Sequence, residues 1–90
     1  MEYHQIITDR IAALCKKRGL SINKLASMAG VKQSTLDNIV RGISKNPRIK
    51  TLHKISHAFG MTPSEFLDFP EMNDFSFDDI ADDDDILDDT

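Results

Sequence analysis

The centre of the chain is the stretch SINKLASMAGVKQSTLDNIVRG, residues 21–42. In each half, apolar side chains recur at intervals of three and four residues, which is the spacing of one face of a helix. Gly30 lies between the two halves and permits the positive φ that a sharp turn needs. We therefore predict two short helices, over residues 22–29 and about 32–41, joined by a tight turn. The apolar residues are Ile22, Leu25, Ala26 and Ala29 in the first helix and Leu36, Ile39 and Val40 in the second.

Three further helices are predicted around this stretch, over about residues 3–18, 50–59 and 63–69. The last of them has a strong start signal, because Thr62, Pro63 and Glu65 form a capping box with proline in the first turn. Pro70 is expected to stop it. The sequence thus predicts a compact all-α domain of five helices over residues 1–69, followed by a tail over residues 70–90.

The charges of the chain are divided between these two parts. Residues 1–69 contain all 11 Lys and Arg and five carboxylates, which gives a net charge of +6, whereas residues 70–90 carry −10. Such a division indicates a basic body that binds a polyanion, together with an acidic tail. The overall net charge of −4 is therefore no argument against such a partner. We expect the tail to be disordered or weakly helical, because consecutive aspartates repel one another.

Several functional classes find no support in the sequence. A single cysteine, Cys15, excludes an intrachain disulfide, and no Cys/His cluster has the spacing of a zinc site. His53 and His57 are interpreted as surface histidines, so no metal and no cofactor are predicted. There is no catalytic Ser/His/Asp or Cys/His pattern and no Gly-rich phosphate loop, and we predict that the protein is not an enzyme. No apolar run approaches the ~20 residues that span a bilayer, so a cytoplasmic protein without membrane contact is expected.

Residues 4–69 resemble the phage repressor and Cro type of helix-turn-helix domain, often called the Xre family. The resemblance implies a five-helix, lambda-repressor-like fold, recognition of an operator in double-stranded DNA, and a homodimer. It also implies a sequence-specific transcriptional regulator that acts as a repressor, with the second helix of residues 21–42 in the major groove. The matching residues are Gly19-Leu20-Ser21, Leu25-Ala26, Ala29-Gly30-Val31, Leu36, Ile39, Arg41-Gly42, Asn46-Pro47, Leu52 and Ala58-Phe59-Gly60-Met61-Thr62.

The resemblance also indicates which residues contact DNA. Side chains early in the recognition helix and on its exposed face contact bases, and Gln and Asn there can form paired hydrogen bonds with the edge of adenine. The start of the preceding helix offers free N–H groups to a phosphate. The predicted base contacts are Gln33, Ser34, Thr35 and Asn38, and the predicted backbone contacts are Ser21, Ile22, Lys32, Arg41, Lys45, Arg48 and Lys50.

The sequence departs from the family in two places. Many members pair an Arg late in the first helix with a Glu near the end of the third, and these positions hold Cys15 and Val40 here. We predict that these two residues are in or near contact, which should preserve the fold because apolar replacement of a buried ion pair is often neutral or stabilising. The second departure is Arg48, which replaces a capping residue before the fourth helix and adds a cation.

Two alternatives concern the acidic tail. The chain is alternatively a protein-interaction module, such as an antitoxin-like partner, whose tail binds a basic protein. Within the DNA-binding hypothesis, the tail either competes with DNA for the basic face or serves only to keep the protein soluble. These possibilities predict different results when the tail is altered.

Overall fold

A computed structural model describes residues 2–78, and residues 79–90, which hold most of the predicted tail, lie outside the described part. Residues 2–78 contain helices and no strand, which confirms the all-α prediction. The helices are α1 (Tyr3–Arg18), α2 (Ile22–Ala29), α3 (Gln33–Val40), α4 (Ile49–Ala58), α5 (Pro63–Leu67) and α6 (Pro70–Asn73).

The turn between α2 and α3 follows from Gly30. This residue has φ +69°, in the left-handed region that glycine enters without a Cβ penalty. The chain then reverses, and the N–H of Val31 donates to the carbonyl oxygen of Ala26 over 3.0 Å. This bond satisfies a carbonyl at the end of α2 that has no partner within the helix. Residues 30–32 are therefore the whole connection between the two helices.

The core lies where the apolar faces of α1 to α5 meet. Ile11, Leu25, Leu36 and Ile55 have no exposed surface. Each aliphatic side chain buried to this degree stabilises the fold by about 1.5–3 kcal/mol relative to an exposed one. In the same core the rings of Phe59 and Phe66 stack at a centroid distance of 6.3 Å. Helix α2 packs on both α3 and α4, and this arrangement leaves the other side of α3 to solvent.

The helix ends differ slightly from the predicted ones. Lys32 and Arg41 cap α3 and are not part of it, and neither Lys32 nor Arg48, at the start of α4, forms a side-chain capping bond. Helix α4 begins at Ile49, one residue earlier than expected, and α5 ends at Leu67. Thr62 and Glu65 form the predicted capping box at the start of α5.

The five predicted helices are followed by a short sixth helix within residues 70–78, where the sequence predicted disorder or weak helix. Pro70 occupies the first position of α6, where its missing N–H has no cost. Tyr3 holds this segment against α1: its hydroxyl donates to the sulfur of Met72 over 3.7 Å, and its ring lies 5.1 Å from that of Phe75 and 5.5 Å from that of Phe77. Residues after position 69 therefore still pack against α1.

Candidate nucleic-acid interface

The solvent side of α3 presents the polar residues that the sequence singled out. Gln33 and Ser34 lie in the first turn and are exposed, and Asn38 is exposed one turn after Ser34. Thr35 is half-buried, so its side chain is less accessible than the other three. Because Leu36 is fully buried, α3 has one anchored face and one polar face.

Contacts from α1 and from the following turn hold α3 in place. The Thr8 hydroxyl of α1 donates to the carbonyl oxygen of Ile39 over 3.1 Å. After α3, the N–H groups of Ile43 and Ser44 both donate to the carbonyl oxygen of Asn38 over 2.9 Å. Gly42 has φ +77°, which favours glycine, and a Cβ there would lie 3.0 Å from the Nε2 of His4. These contacts fix α3 to α1 and to the following turn.

The start of α2 offers backbone N–H groups beside α3. The Ser21 hydroxyl accepts from the N–H of Lys24 over 3.0 Å and so caps the helix. This capping bond uses the oxygen as an acceptor and leaves the hydroxyl proton for another partner. Ile22 is half-buried and packs against the core, so any contact it makes with a phosphate would come from its backbone N–H.

The five cationic side chains that are predicted to contact the DNA backbone are all exposed: Lys32, Arg41, Lys45, Arg48 and Lys50. Within residues 2–78 no Lys or Arg lies within 4.0 Å of a carboxylate, and the one close pair of opposite type there joins His4 and Glu2. The positive charge of this surface is therefore not neutralised by acidic neighbours in the described part of the chain. Free surface cations of this kind suit a polyanion.

Two arginines counted in the basic body have structural roles that the sequence did not indicate. The Arg10 guanidinium donates to the carbonyl oxygens of Phe66 over 2.9 Å and Glu65 over 3.1 Å, and it lies 4.8 Å from the ring centre of Phe69. The guanidinium carbon of Arg18 lies 5.8 Å from the ring centre of Phe59. No helical periodicity marks such contacts, because they join residues more than 40 positions apart.

Cys15 and Val40 occupy the places described above for the family's ion pair. Cys15 is 5% exposed within the core, and Val40 packs against the same core. Burial raises the pKa of the Cys15 thiol, which keeps it in the unreactive neutral form. A direct contact between the two side chains stays a prediction.

His53 and His57 are the remaining candidate metal ligands in the sequence. His53 and His57 are exposed on α4 with their rings 4.6 Å apart. In residues 2–78 no group of three or more His, Cys, Asp or Glu side chains is arranged to hold a metal ion. None of the helices described is both long enough and apolar enough to cross a membrane.

The comparison with known proteins covers most of this fold. A family model described as "Helix-turn-helix" matches residues 11–66, from the middle of α1 to α5. The chain belongs to the Cro/C1-type (Xre) helix-turn-helix family of DNA-binding transcriptional regulators. It is 36% identical over 63 residues to the HTH-type transcriptional regulator SinR of Bacillus subtilis, which covers 70% of this chain and 57% of that protein. It is 41% identical over 64 residues to SlrR of the same organism, covering 70% and 42%.

A solved structure has a similar fold. The crystal structure of the prophage Lp1 protein 11 superposes with a TM-score of 0.72 at 32% sequence identity, and the match covers 80% of this chain and 95% of that one. The chain spans about half the length of the curated relatives, 57% of SinR and 42% of SlrR. The family and the lambda-repressor-like fold are therefore shown, whereas the activity of a whole regulator is not transferred by these matches.

Proposed function

We propose that this protein is a sequence-specific regulator that represses transcription by binding, as a homodimer, a pseudo-palindromic operator through α3 in the major groove. The observation that carries the proposal is the polar outer face of α3 beside surface cations that have no acidic partner within residues 2–78. Gln33 and Asn38 supply amide groups for paired hydrogen bonds with adenine, and Ser34 and Thr35 supply hydroxyls that suit several bases. A good paired contact discriminates between bases by about 1–3 kcal/mol.

The cations around α3 supply affinity and orientation, and the bases supply specificity. Lys32 and Arg41 cap the two ends of α3, while Lys45, Arg48 and Lys50 follow it. The N-terminus of α2, capped by Ser21 and begun by Ile22, supplies N–H groups for a further phosphate. If all five cations of each protomer contact phosphates, the dimer makes about ten such contacts. The logarithm of its affinity would then fall with the logarithm of salt concentration with a slope of about −9.

Successive major grooves on one side of the duplex are about 34–36 Å apart, so a dimer that occupies adjacent grooves must hold its two α3 helices at that separation. A bound dimer of this kind excludes other proteins from the site, which is the simplest basis for repression.

Selection of bound sites from random DNA tests this function. The wild-type protein should enrich a two-fold symmetric motif whose half-sites are separated by one helical turn, about 10–10.5 base pairs. The matched variant is Gln33→Ala with Asn38→Ala, because both side chains are exposed and their loss should leave the fold intact. This variant should keep salt-sensitive binding and lose base preference. If the wild-type protein enriched no motif, the proposed function would be wrong.

A further inference from the structure

An apolar groove opens beside the α3–α4 loop, which supplies Lys45, Asn46 and Pro47 to its lining. It has a volume of about 160 Å³. Ile49, at the start of α4, is 73% exposed although it is aliphatic. We call this the Tyr3–Ile49 groove, and its apolar lining comes from α1, α4, α5 and α6: Tyr3, Ile7, Ile49, Leu52, Leu67 and Met72.

The size of the groove limits what can occupy it. Small-molecule sites usually measure about 300–1,000 Å³, so this groove is too small for most such ligands. A cavity of about 150 Å³ accepts a group the size of benzene, which is comparable to one or two aliphatic side chains. A stable dimer buries about 1,200–2,000 Å², far more than a groove for a few side chains provides. The groove therefore suits a short peptide segment with adjacent aliphatic residues.

The chain itself supplies such a segment. The described part ends at Asp78, directly after Phe77, whose ring lies 5.5 Å from that of Tyr3 in the groove wall. The following residues therefore start beside the groove. Residues 79–90 contain the adjacent aliphatic pair Ile86 and Leu87. Seven residues separate Asp78 from Ile86, and the eight Cα-to-Cα steps between these two residues span at most about 28 Å, comparable to the shorter dimensions of the domain, 25 and 21 Å.

The charges of the two partners are complementary. Lys45 lines the groove, and Arg48 and Lys50 flank Ile49 in sequence, all three exposed. Within residues 2–78 none of these cations is paired with a carboxylate. The residues from 79 to 90 contain no base and seven acids, which stand on both sides of the aliphatic pair: Asp79, Asp82, Asp83, Asp84, Asp85, Asp88 and Asp89.

We propose that residues 79–90 dock in the Tyr3–Ile49 groove of their own chain, with Ile86 and Leu87 in the apolar groove and aspartates beside Lys45, Arg48 and Lys50. A short linker gives an effective concentration on the order of millimolar, so even a weak intrinsic affinity populates the docked state. Increasing salt weakens the ionic part of this contact, because the Debye length falls from about 10 Å at 0.1 M to 3 Å at 1 M.

Docking has a consequence for DNA that rests on the proposed function. Lys45, Arg48 and Lys50 are also the proposed phosphate contacts after α3, so a docked segment competes with DNA for them. Replacement of Asp82–Asp85 by Asn should therefore tighten non-specific DNA binding at low salt and have little effect at high salt. The docking itself does not depend on DNA, and it is tested without DNA.

The test compares amide spectra of ¹⁵N-labelled full-length protein with and without the double substitution Ile86→Ser and Leu87→Ser. The resonances of Ile7, Ile49 and Leu52 should shift, and those of Ser27 and Gly30 should not. Ala81→Ser is the matched control, because it makes the same segment more polar and leaves the aliphatic pair intact. In the reverse experiment Ile49→Ser, at an exposed position, should shift the resonances of Ile86 and Leu87.

The shifts at the groove should be independent of protein concentration, because the contact is within one chain. Shifts that disappear on dilution would assign the groove to a second copy and overturn the proposal. Shifts confined to Gln33, Ser34 and Asn38 would place the segment on α3 and overturn it as well. Unchanged spectra at the groove would show that the segment does not dock there. None of these outcomes depends on whether the protein recognises an operator.

Discussion

The hydroxyl of Thr8 in α1 lies 3.1 Å from the carbonyl oxygen of Ile39 near the end of α3, and 3.2 Å from that of His4. Its single proton is shared between the two acceptors. This is a direct bond from the scaffold helix to α3, whose other face carries Gln33 and Asn38. The position of the polar face therefore depends partly on a hydrogen bond from a residue of α1.

Thr8→Val should lower the free energy of unfolding by about 0.5–1.5 kcal/mol, the net value of a typical hydrogen bond. The cost is moderate because the Ile39 carbonyl also accepts from the N–H of Gly42 over 3.1 Å and keeps one partner. Urea denaturation measures this change. Thr8→Ser, which retains the hydroxyl, is the control, and a loss in Thr8→Ser as large as that in Thr8→Val would show that the bond is not responsible.

The start of α5 should be sensitive to acid. The N–H of Thr62 donates to Glu65 Oε1 over 2.8 Å, and the Thr62 hydroxyl accepts from the N–H of Glu65 over 3.1 Å. The carboxylate is held ionised first by the bond from the Thr62 N–H and then by hydrogen bonding with the Thr62 side chain, which together keep the pKa of Glu65 below its ordinary value of 4.5. The ionised carboxylate therefore stabilises the folded protein fully above that pH, and its contribution disappears as the pH falls through the lowered folded-state pKa.

Urea midpoints at pH 7 and at successive values below 4.5 test the capping box. Glu65→Gln should lose less stability over this range than the wild-type protein. At pH 7, Thr62→Ala should cost about 0.5–2 kcal/mol and Thr62→Ser much less, because serine also accepts the capping bond. Equal acid sensitivity of the wild-type protein and Glu65→Gln would contradict the assignment.

Helical periodicity and end signals in the sequence were sufficient for most of the fold. Ile11, Leu14, Leu25, Leu36 and Ile55 follow the spacing of helix faces, and all are buried. The capping box before α5 was also visible, because its residues are three positions apart. Local patterns of this kind report on one element at a time.

The sequence did not predict α6 or the contacts of Tyr3 with Met72, Phe75 and Phe77. Tyr3 is far from the other three residues in the sequence, and their contacts depend on how α1 is placed relative to α5 in the folded chain. Pro70 was interpreted as a stop signal, yet proline also favours the first position of a new helix, and the tertiary contacts decided between the two. For the same reason, local sequence patterns did not predict the hydrogen bonds that Arg10 and Thr8 form with distant parts of the chain. The predicted DNA-contacting residues were inferred from family resemblance, and the structure shows that all of them are exposed except Thr35 and Ile22, which are half-buried.

The contribution of one proposed phosphate contact, that of Lys50, can be measured through the salt dependence of DNA binding. We expect Lys50→Ala to weaken binding to all DNA sequences by a similar factor and to reduce the magnitude of the salt slope by about 1. Lys50→Arg preserves the charge and should preserve the slope. Binding titrations at several salt concentrations provide both slopes. A variant that changed base preference and kept the wild-type slope would move Lys50 from the phosphate backbone to the bases.

The central claim is that α3 recognises bases, and Gln33 tests it most directly. The measurement is the affinity of the wild-type protein, Gln33→Ala and Lys50→Ala for the selected operator and for each of its single-base-pair variants at one salt concentration. Gln33→Ala should lose about 1–3 kcal/mol on the operator and become indifferent at one base pair in each half-site, with preferences elsewhere unchanged. Lys50→Ala should weaken all sites alike. If Gln33→Ala kept every base preference of the wild-type protein, or weakened all sites equally, the assignment of Gln33 to base recognition would be wrong.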